Sequence, residues 1–280
     1  MKPFLKWAGG KYRLVDKIKA LLPEGKRLIE PFMGSGSVFL NVDYPEYFLS
    51  DSNPDLINVF QQVQHGGVIF INEVKEIFEL KNNQAAVFYE LRNEFNETTD
   101  LKRKAILFIY LNRHGFNGLC RYNSKGGFNV PFGRYTKPYF PEQELHFFLK
   151  KSQIATFEIA DFSTTMNNAK FGDIIYCDPP YVPLTTTANF TNYTGDGFDL
   201  KKQEQLAELA IKLMNKGIPV IISNHDTVFT RKIYHSAKIS AFDVQRFISS
   251  DGANRNKSPE LLAVFSKQHK ESKSNLELFI

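Results

Sequence analysis

An apolar run of β-formers, Ile174-Ile175-Tyr176-Cys177, ends on Asp178-Pro179-Pro180-Tyr181. No other stretch of the chain restricts its fold so tightly. The run has the length and composition of a buried strand. Two consecutive prolines fix φ and remove two backbone donors, so neither helix nor sheet continues through them. The chain must therefore break at the carboxyl end of that strand, the end where open α/β sheets bind ligands. Asp178 can accept a hydrogen bond there, Pro179 offers only its carbonyl, and Tyr181 can stack on a flat ring. Those are the parts needed to hold an amino group on a nucleobase. Asp-Pro-Pro is equally an ordinary turn sequence, and the rest of the chain has to separate the two readings.

The flanking segments alternate. Arg27–Glu30, Tyr47–Leu49, Thr156–Ile159 and Pro219–Ser223 read as strands. Tyr12–Leu22 predicts a helix stopped by Pro23, Val38 is expected to open another, and Lys201–Lys216 predicts an amphipathic helix closed by Gly217. Segments 239–247 and 261–266 predict a closing pair of strands. The expected fold class is α/β, a mostly parallel sheet covered on both faces. Residues 54–141 break the rhythm with four predicted helices, Asp55–Gln64, Val68–Leu80, Ala85–Asn96 and Leu101–Asn112, then a glycine-rich, aromatic, basic loop. The expected organisation is a discontinuous catalytic domain, 1–53 and 142–280, interrupted by a mostly helical domain, 54–141. The polar tail after Lys267 reads as poorly ordered.

Apolar content of 42% and charged content of 23% are globular values. No apolar stretch approaches ~18 residues, and no signal-peptide pattern opens the chain. A soluble cytoplasmic protein without a membrane partner is expected. The only cysteines, Cys120 and Cys177, lie far apart, and no His/Cys cluster suggests a metal site or a disulfide framework. Cys177, at the end of a buried strand, reads as a small core residue.

Phe32-Met33-Gly34-Ser35-Gly36 follows one predicted strand, and Asp51 ends the next. Glycines there let the backbone turn tightly and approach a ligand. The third glycine of a dinucleotide fingerprint is missing. An acid at the position of Asp51 can accept hydrogen bonds from ribose hydroxyls. The pair points to a nucleoside cofactor without a pyrophosphate, and S-adenosylmethionine fits better than NAD. The N-terminal Phe4–Lys11 segment is either an arm over the core or a loop over the cofactor. In the second case Trp7 supplies a flat wall and Lys11 meets a carboxylate.

Between Leu101 and Lys137 stand eight basic residues, Lys102, Arg103, Lys104, Arg113, Arg121, Lys125, Arg134 and Lys137, and no Asp or Glu. Phe116, Tyr122, Phe128, Phe132 and Tyr135 are interleaved with four asparagines. Lys and Arg neutralise phosphates, Arg and Asn read guanine and adenine edges, and aromatic rings stack on bases or wedge between them. The segregation of charge favours nucleic-acid binding over a solvated basic face.

These constellations, in the order Phe-x-Gly-x-Gly, recognition insertion, Asp-Pro-Pro-Tyr, resemble the Dam-type DNA adenine-N6 methyltransferases. The resemblance runs from Phe4 to about Phe265. It rests on Phe4–Lys11, Glu30–Leu40, Leu111-Asn112-Arg113, Phe116–Asn123, Phe128–Tyr135, Cys177–Tyr181 and Ile222–Asp226. It implies a Rossmann-like methyltransferase sheet, S-adenosylmethionine as donor with no metal, and double-stranded GATC as target, acted on by a monomer. It further implies that Trp7, Lys11, Asp51 and Asp178 bind the cofactor, that Phe32, Gly34 and Gly36 form its pocket, and that Asp161 and Phe162 lie near its adenine. Lys6, Asn117, Leu119, Arg121 and Pro131 would contact bases, Phe116 would act as a wedge, and Arg134 and Tyr135 would hold phosphates. Asp178, Pro179, Pro180 and Tyr181 would carry catalysis on a flipped adenine, under a lid formed by 185–198. The same motif logic serves an RNA adenine or a glutamine amide, and the basic insertion argues for a duplex instead. The pair His225-Asp226 reads as structural, because neighbouring side chains at a strand end point apart. A solitary enzyme serving mismatch repair and DNA replication, and the partner of a restriction nuclease, are both compatible with the sequence.

Overall fold

The computed structural model describes residues 1–184, 198–245 and 257–267. Seven strands are described: β1 (Arg27–Glu30), β2 (Glu46–Asp51), β3 (Ala155–Ile159), β4 (Asp173–Cys177), β5 (Val220–His225), β6 (Lys238–Gln245) and β7 (Lys257–Phe265). They form one sheet in the order β3-β2-β1-β4-β5-β7-β6. The first five are parallel, and β7 runs antiparallel between β5 and β6. This is a Rossmann-like α/β sheet. All five residues of β4 are buried, as a parallel strand covered on both faces requires.

Strand order reverses at β1, with β2 and β3 on one side and β4 and β5 on the other. The crevice beyond the carboxyl ends of β1 and β4 is the topological switch point, where such sheets bind ligands. Glu30 ends β1 and Asp178 follows β4, so both acids stand at that crevice.

Eight α-helices accompany the described strands: α1 (Val15–Lys19), α2 (Pro54–Ile77), α3 (Ala85–Glu97), α4 (Leu101–His114), α5 (Glu142–Ser152), α6 (Phe162–Asn167), α7 (Leu200–Asn215) and α8 (Val228–Ile233). The start of α2 is fixed by Asn53, whose side chain accepts from the N–H groups of Asp55 and Leu56, with Pro54 in the first turn. The two helices expected over 55–80 are both present and follow one another within α2, separated by a kink at Gly67, whose φ of 59° is not helical. The helix expected from Val38 is only a 3₁₀ turn, Phe39–Asn41. The Asn41 side chain takes the Ser37 carbonyl, Val42 is extended, and Pro45 pushes its neighbour Tyr44 away from helical angles. The helices α5, α6 and α8 have no counterpart in the sequence reading. Two of them have six residues, too few for a 3.6-residue period to show.

Two hydrophobic layers cover the sheet. One gathers Phe4, Phe39, Phe60, Phe148 and Phe157 and runs on without a break into Phe88, Phe95 and Phe108 of α3 and α4. The other holds Ile29, Phe162, Met166, Leu206 and Tyr234. Helix α2 packs on β3 and α5 with one side and on α4 with another. The insertion is thus built onto the sheet layer through its first helix, and many of the abundant phenylalanines are core.

Candidate active site

Asp178 leaves the end of β4 with its carboxylate turned toward β5. Ser223, buried on β5, donates from its hydroxyl to Asp178 Oδ1 at 2.8 Å. The Lys11 ammonium approaches the same oxygen at 2.9 Å and also donates to the Gly9 carbonyl. Tyr176 OH lies 3.1 Å from Ser223 Oγ. Among the described residues nothing is bonded to Asp178 Oδ2 or to the Pro179 carbonyl. One carboxylate oxygen is held and the other acceptor positions remain for a ligand.

The loop that follows is clamped from behind. Gln203 of α7 donates to the Pro180 carbonyl and accepts from Asn224. The Asn224 side chain in turn accepts from the N–H of Val182, and His225 Nδ1 pairs with the Val182 carbonyl at 2.6 Å. Tyr181 sits edge-on to the His225 ring, with centroids 4.9 Å apart. Its hydroxyl donates to Glu260, and its ring faces the Lys11 ammonium at 4.5 Å. Burial beside Asp178 pushes the Tyr181 phenol well up, so it stays protonated. Asp226 turns away from His225 into an ion pair with Arg231. Cys177 is fully buried, and burial raises its thiol well above the usual range, which rules it out as a nucleophile.

A cavity of about 780 Å³ opens in front of Asp178, a size suited to a nucleoside-bearing ligand. Of the nine expected cofactor residues, Trp7, Lys11, Phe32, Gly34, Asp51 and Asp178 line it. Asp51 accepts from Gly34 N at 3.1 Å on one oxygen and from Asn53 N at 3.0 Å on the other. Each oxygen keeps a second lone pair for a hydroxyl donor. Burial is the largest influence on this acid and raises its pKa. Gly34 has a φ of 48° and packs so closely that a Cβ there would lie 2.9 Å from Trp7 Nε1. Gly36, Asp161 and Phe162 stand outside the cavity wall. Gly36 serves the turn at φ 73°, Asp161 caps α6 by accepting from Thr164 N, and Phe162 stacks behind Phe32 at 5.5 Å. Phe198 meets Phe32 edge-on at the same distance, and the rest of the expected lid over 185–198 falls outside the described residues.

The expected target-reading residues gather at the end of α4. Lys6 Nζ lies 4.1 Å above the Tyr135 ring, and Tyr135 OH accepts from Asn117 N. The Pro131 carbonyl accepts from Phe116 N, and the Phe116 ring is half exposed. Antiparallel bridges Gly115↔Phe132 and Tyr122↔Phe128 close 115–132 into a hairpin carrying Leu119 and Arg121. The Arg121 guanidinium is aimed by Asn129, which accepts at 2.7 Å. Arg134 is exposed beside them with a positive φ. The basic stripe itself divides. Lys102, Arg103 and Lys104 pair with Glu73, Glu94 and Asp55 from α2 and α3, and buried Arg113 donates to the Phe4 carbonyl. Those four serve the fold, and the hairpin cations face out. Ser223, Gln203, Asn224 and Glu260 were missed by the sequence reading, although Ser223-Asn224 lies inside one of the quoted stretches.

A family model for D12 class N6 adenine-specific DNA methyltransferases matches residues 7–248. The chain belongs to that family. The methyltransferase is 53% identical to the DNA adenine methylase of Vibrio cholerae serotype O1 over 266 residues, covering 95% of this chain and 96% of the relative. It is 51% identical to the DNA adenine methylase of Escherichia coli K12 and 52% identical to that of Salmonella typhi. Each match spans 264 residues, 94% of this chain and 95% of the relative. Among the described residues no group of three or more His, Cys, Asp or Glu could hold a metal ion, and no helix is long and apolar enough to cross a membrane.

Proposed function

We propose that the methyltransferase takes its methyl group from S-adenosylmethionine and places it on N6 of the adenine in double-stranded GATC. The target base would be rotated out of the duplex into the cavity. One observation carries this reading. A single cavity is lined by Asp178, Pro179 and Tyr181 together with Asp51, Gly34 and Trp7, and Trp7 is joined in sequence to Lys6 on the hairpin face. The residues fit the donor. Asp51 keeps lone pairs for ribose hydroxyls, and glycine at position 34 lets the backbone lie directly against the Trp7 ring, which a side chain there would displace.

When bound, the donor supplies an electrophilic methyl group. Adenine N6 is a poor nucleophile because its lone pair is delocalised into the ring. Asp178 Oδ2 and the Pro179 carbonyl would accept its two N–H bonds and favour a pyramidal nitrogen. Ser223 and Lys11 hold the opposite oxygen and fix the carboxylate plane. Tyr181 would stack on the flipped base, which chemistry on a nucleobase requires to leave the helix, and Glu260 and His225 hold its ring in place. Positioning and fixed dipoles supply the acceleration. The methylated nitrogen becomes acidic, so its proton can pass to Asp178 or water after transfer.

On the target side, Arg121 would read a guanine edge, with Lys6, Asn117, Leu119 and Pro131 contacting neighbouring bases and Phe116 filling the space left by the flipped one. The test is to incubate the protein with labelled S-adenosylmethionine and duplexes that contain GATC, carry single-base changes in it, or lack it. Label on adenine N6 of GATC alone is expected. Equal labelling of GATC-free duplexes or of RNA would refute the target assignment.

A further inference from the structure

The cavity in front of Asp178 runs across the sheet. Asp51 of β2 lines one end and Asp178, just after β4, the middle. His225 of β5, Glu260 of β7 and Val244 of β6 line the other end. A donor with its ribose at Asp51 and its methyl group toward Asp178 fills the part between β2 and β4. The part between β4 and β6, with the Tyr181 ring, is left for a flipped nucleotide. Among the described residues the charged members of the wall are Lys11, Arg13, Glu30, Asp51, Asp178 and Glu260, and of these only Arg13 is exposed.

Arg13 is bracketed on the nucleotide side. Lys11, two residues before it, reaches Asp178 at 2.9 Å and faces the Tyr181 ring at 4.5 Å. Lys17, four residues after it and so about one helical turn away on the same side, stands 4.5 Å over the Phe242 ring of β6. Phe242 and Val244 share one face of that strand, and Val244 lines the cavity. The Arg13 position therefore falls between the Tyr181 ring and β6, at the end away from Asp51.

A nucleotide that leaves the helix stays tethered by the phosphates on its two sides. Its base enters the cavity, and those phosphates remain at the mouth. Asp51, Asp178 and Glu260 in the wall oppose the approach of a polyanion, and Lys11 is engaged with Asp178. A cation at the mouth offsets that repulsion, and a guanidinium matches a phosphate with two parallel N–H donors. We propose that Arg13 holds a backbone phosphate flanking the target adenine and so clamps the nucleotide in its flipped position. The clamp rests on the flipped-base reading above. It is separate from the contacts of the hairpin, which meets the N-terminal arm at Lys6.

The test compares wild type, Arg13→Gln and Arg13→Lys on GATC duplexes with S-adenosylhomocysteine, which binds without reacting. One phosphate contact contributes about 0.9 to the slope of log affinity against log salt, or roughly 3.5-fold between 50 and 200 mM salt. Arg13→Gln should lose about that much salt dependence, and Arg13→Lys should keep it. Two further duplexes carry an uncharged methylphosphonate at the phosphate 5′ or 3′ to the target adenine. One of them is expected to weaken wild-type binding roughly threefold or more, and Arg13→Gln should bind it as it binds the unmodified duplex. With 2-aminopurine at the target position, saturating Arg13→Gln should raise the emission less than wild type does. Affinity for S-adenosylhomocysteine without DNA should be equal in the three proteins, which shows that the variants are folded. Wild type insensitive to both methylphosphonates, or Arg13→Gln as sensitive as wild type, would overturn the clamp. So would an unchanged salt slope in Arg13→Gln, or a loss of donor affinity, which would move Arg13 to the donor. Wild type that binds GATC without raising 2-aminopurine emission would instead overturn the flipped-base reading.

Discussion

Ser223→Ala isolates the support of the Asp178 carboxylate. The Ser223 hydroxyl has one proton and two acceptors within reach, Asp178 Oδ1 at 2.8 Å and the Cys177 carbonyl at 3.3 Å. The shorter contact, to a carboxylate, takes the proton. Tyr176 OH then donates to Ser223 Oγ, so the chain runs from Tyr176 through Ser223 to Asp178. A hydrogen bond to a charged group contributes about 1.5–3 kcal/mol. If that energy keeps Oδ2 aimed at N6, its loss lowers kcat roughly 10- to 150-fold. Tyr176 OH, in a buried position, loses its acceptor as well, which costs roughly 1–3 kcal/mol of stability. Single-turnover methyl transfer at saturating donor and duplex reads the first effect, and denaturant unfolding reads the second. Duplex affinity should be unchanged, because Ser223 is buried behind the site. Unchanged turnover in a variant that shows the stability loss would refute the argument, since the hydroxyl would then be a packing element only.

Gly34→Ala places a Cβ 2.9 Å from Trp7 Nε1 at a φ of 48°. It should weaken donor binding by strain of roughly 1–2 kcal/mol or more. The single tryptophan reports this directly by fluorescence, and an unaltered Kd would reject the wall role of Trp7. Arg121→Ala should relax discrimination at one base pair by ~1–3 kcal/mol, read as kcat/KM on GATC against single-substituted sites. An unchanged preference would remove Arg121 from base reading. Stability should also respond to pH through two buried groups. Glu30 keeps its proton up to about 8, whereas the unfolded chain loses it near 4.5, so its contribution falls as pH rises between those values. His114, pushed down to about 4 by burial against Tyr110, refuses a proton that the unfolded chain takes near 6.5, so its contribution falls as pH drops through that window. The slopes oppose each other up to about 6.5, and Glu30 acts alone above it, at no more than about 1.4 kcal/mol per pH unit. Denaturant midpoints of wild type and Glu30→Gln should therefore diverge between about pH 6.5 and 8, and parallel curves would refute the assignment of that slope.

The parts of the site that were legible in the sequence are those fixed by local chemistry. Two prolines after a β-run force a break wherever they fall, so Asp178 and Tyr181 were placed at a strand end without any knowledge of neighbouring strands. Gly34 and Asp51 were legible because positive φ and strand-end acids carry their own signatures. What stayed hidden depends on pairing across the sheet. Ser223 meets Asp178 from 45 residues away, and Gln203 and Asn224 reach the same loop through a chain of side-chain bonds. A serine at a strand end has no local signature of such a task. The insertion shows the converse. Its charge segregation was real in sequence, yet Lys102, Arg103 and Lys104 meet acids from helices α2 and α3, which only the fold brings alongside.

The N-terminal segment ties these halves together. The Phe4 ring is buried edge-on against Phe60 and Phe148, and its carbonyl accepts from the Arg113 guanidinium. Two residues on, the Asn112 side chain accepts from Lys6 N and donates to Lys6 O, both at 2.8 Å, and it also reaches the Gly118 carbonyl. A Cβ on Gly118 would overlap the Lys6 side chain, so the hairpin and the arm are in contact without slack. The peptide that leaves Lys6 enters Trp7, and Lys11 follows one turn later at Asp178. The arm is therefore both a cover and a strut. Its Lys6 side chain faces Tyr135 beside the hairpin, while its next residue lines the cavity in front of Asp178. With both backbone groups of Lys6 bonded to Asn112, the peptide that carries Trp7 is fixed to the helix that leads into the hairpin. The cavity and the hairpin are thus joined by covalent adjacency, and the residues that enforce it, Asn112 and Arg113, are of the types that elsewhere read bases and phosphates.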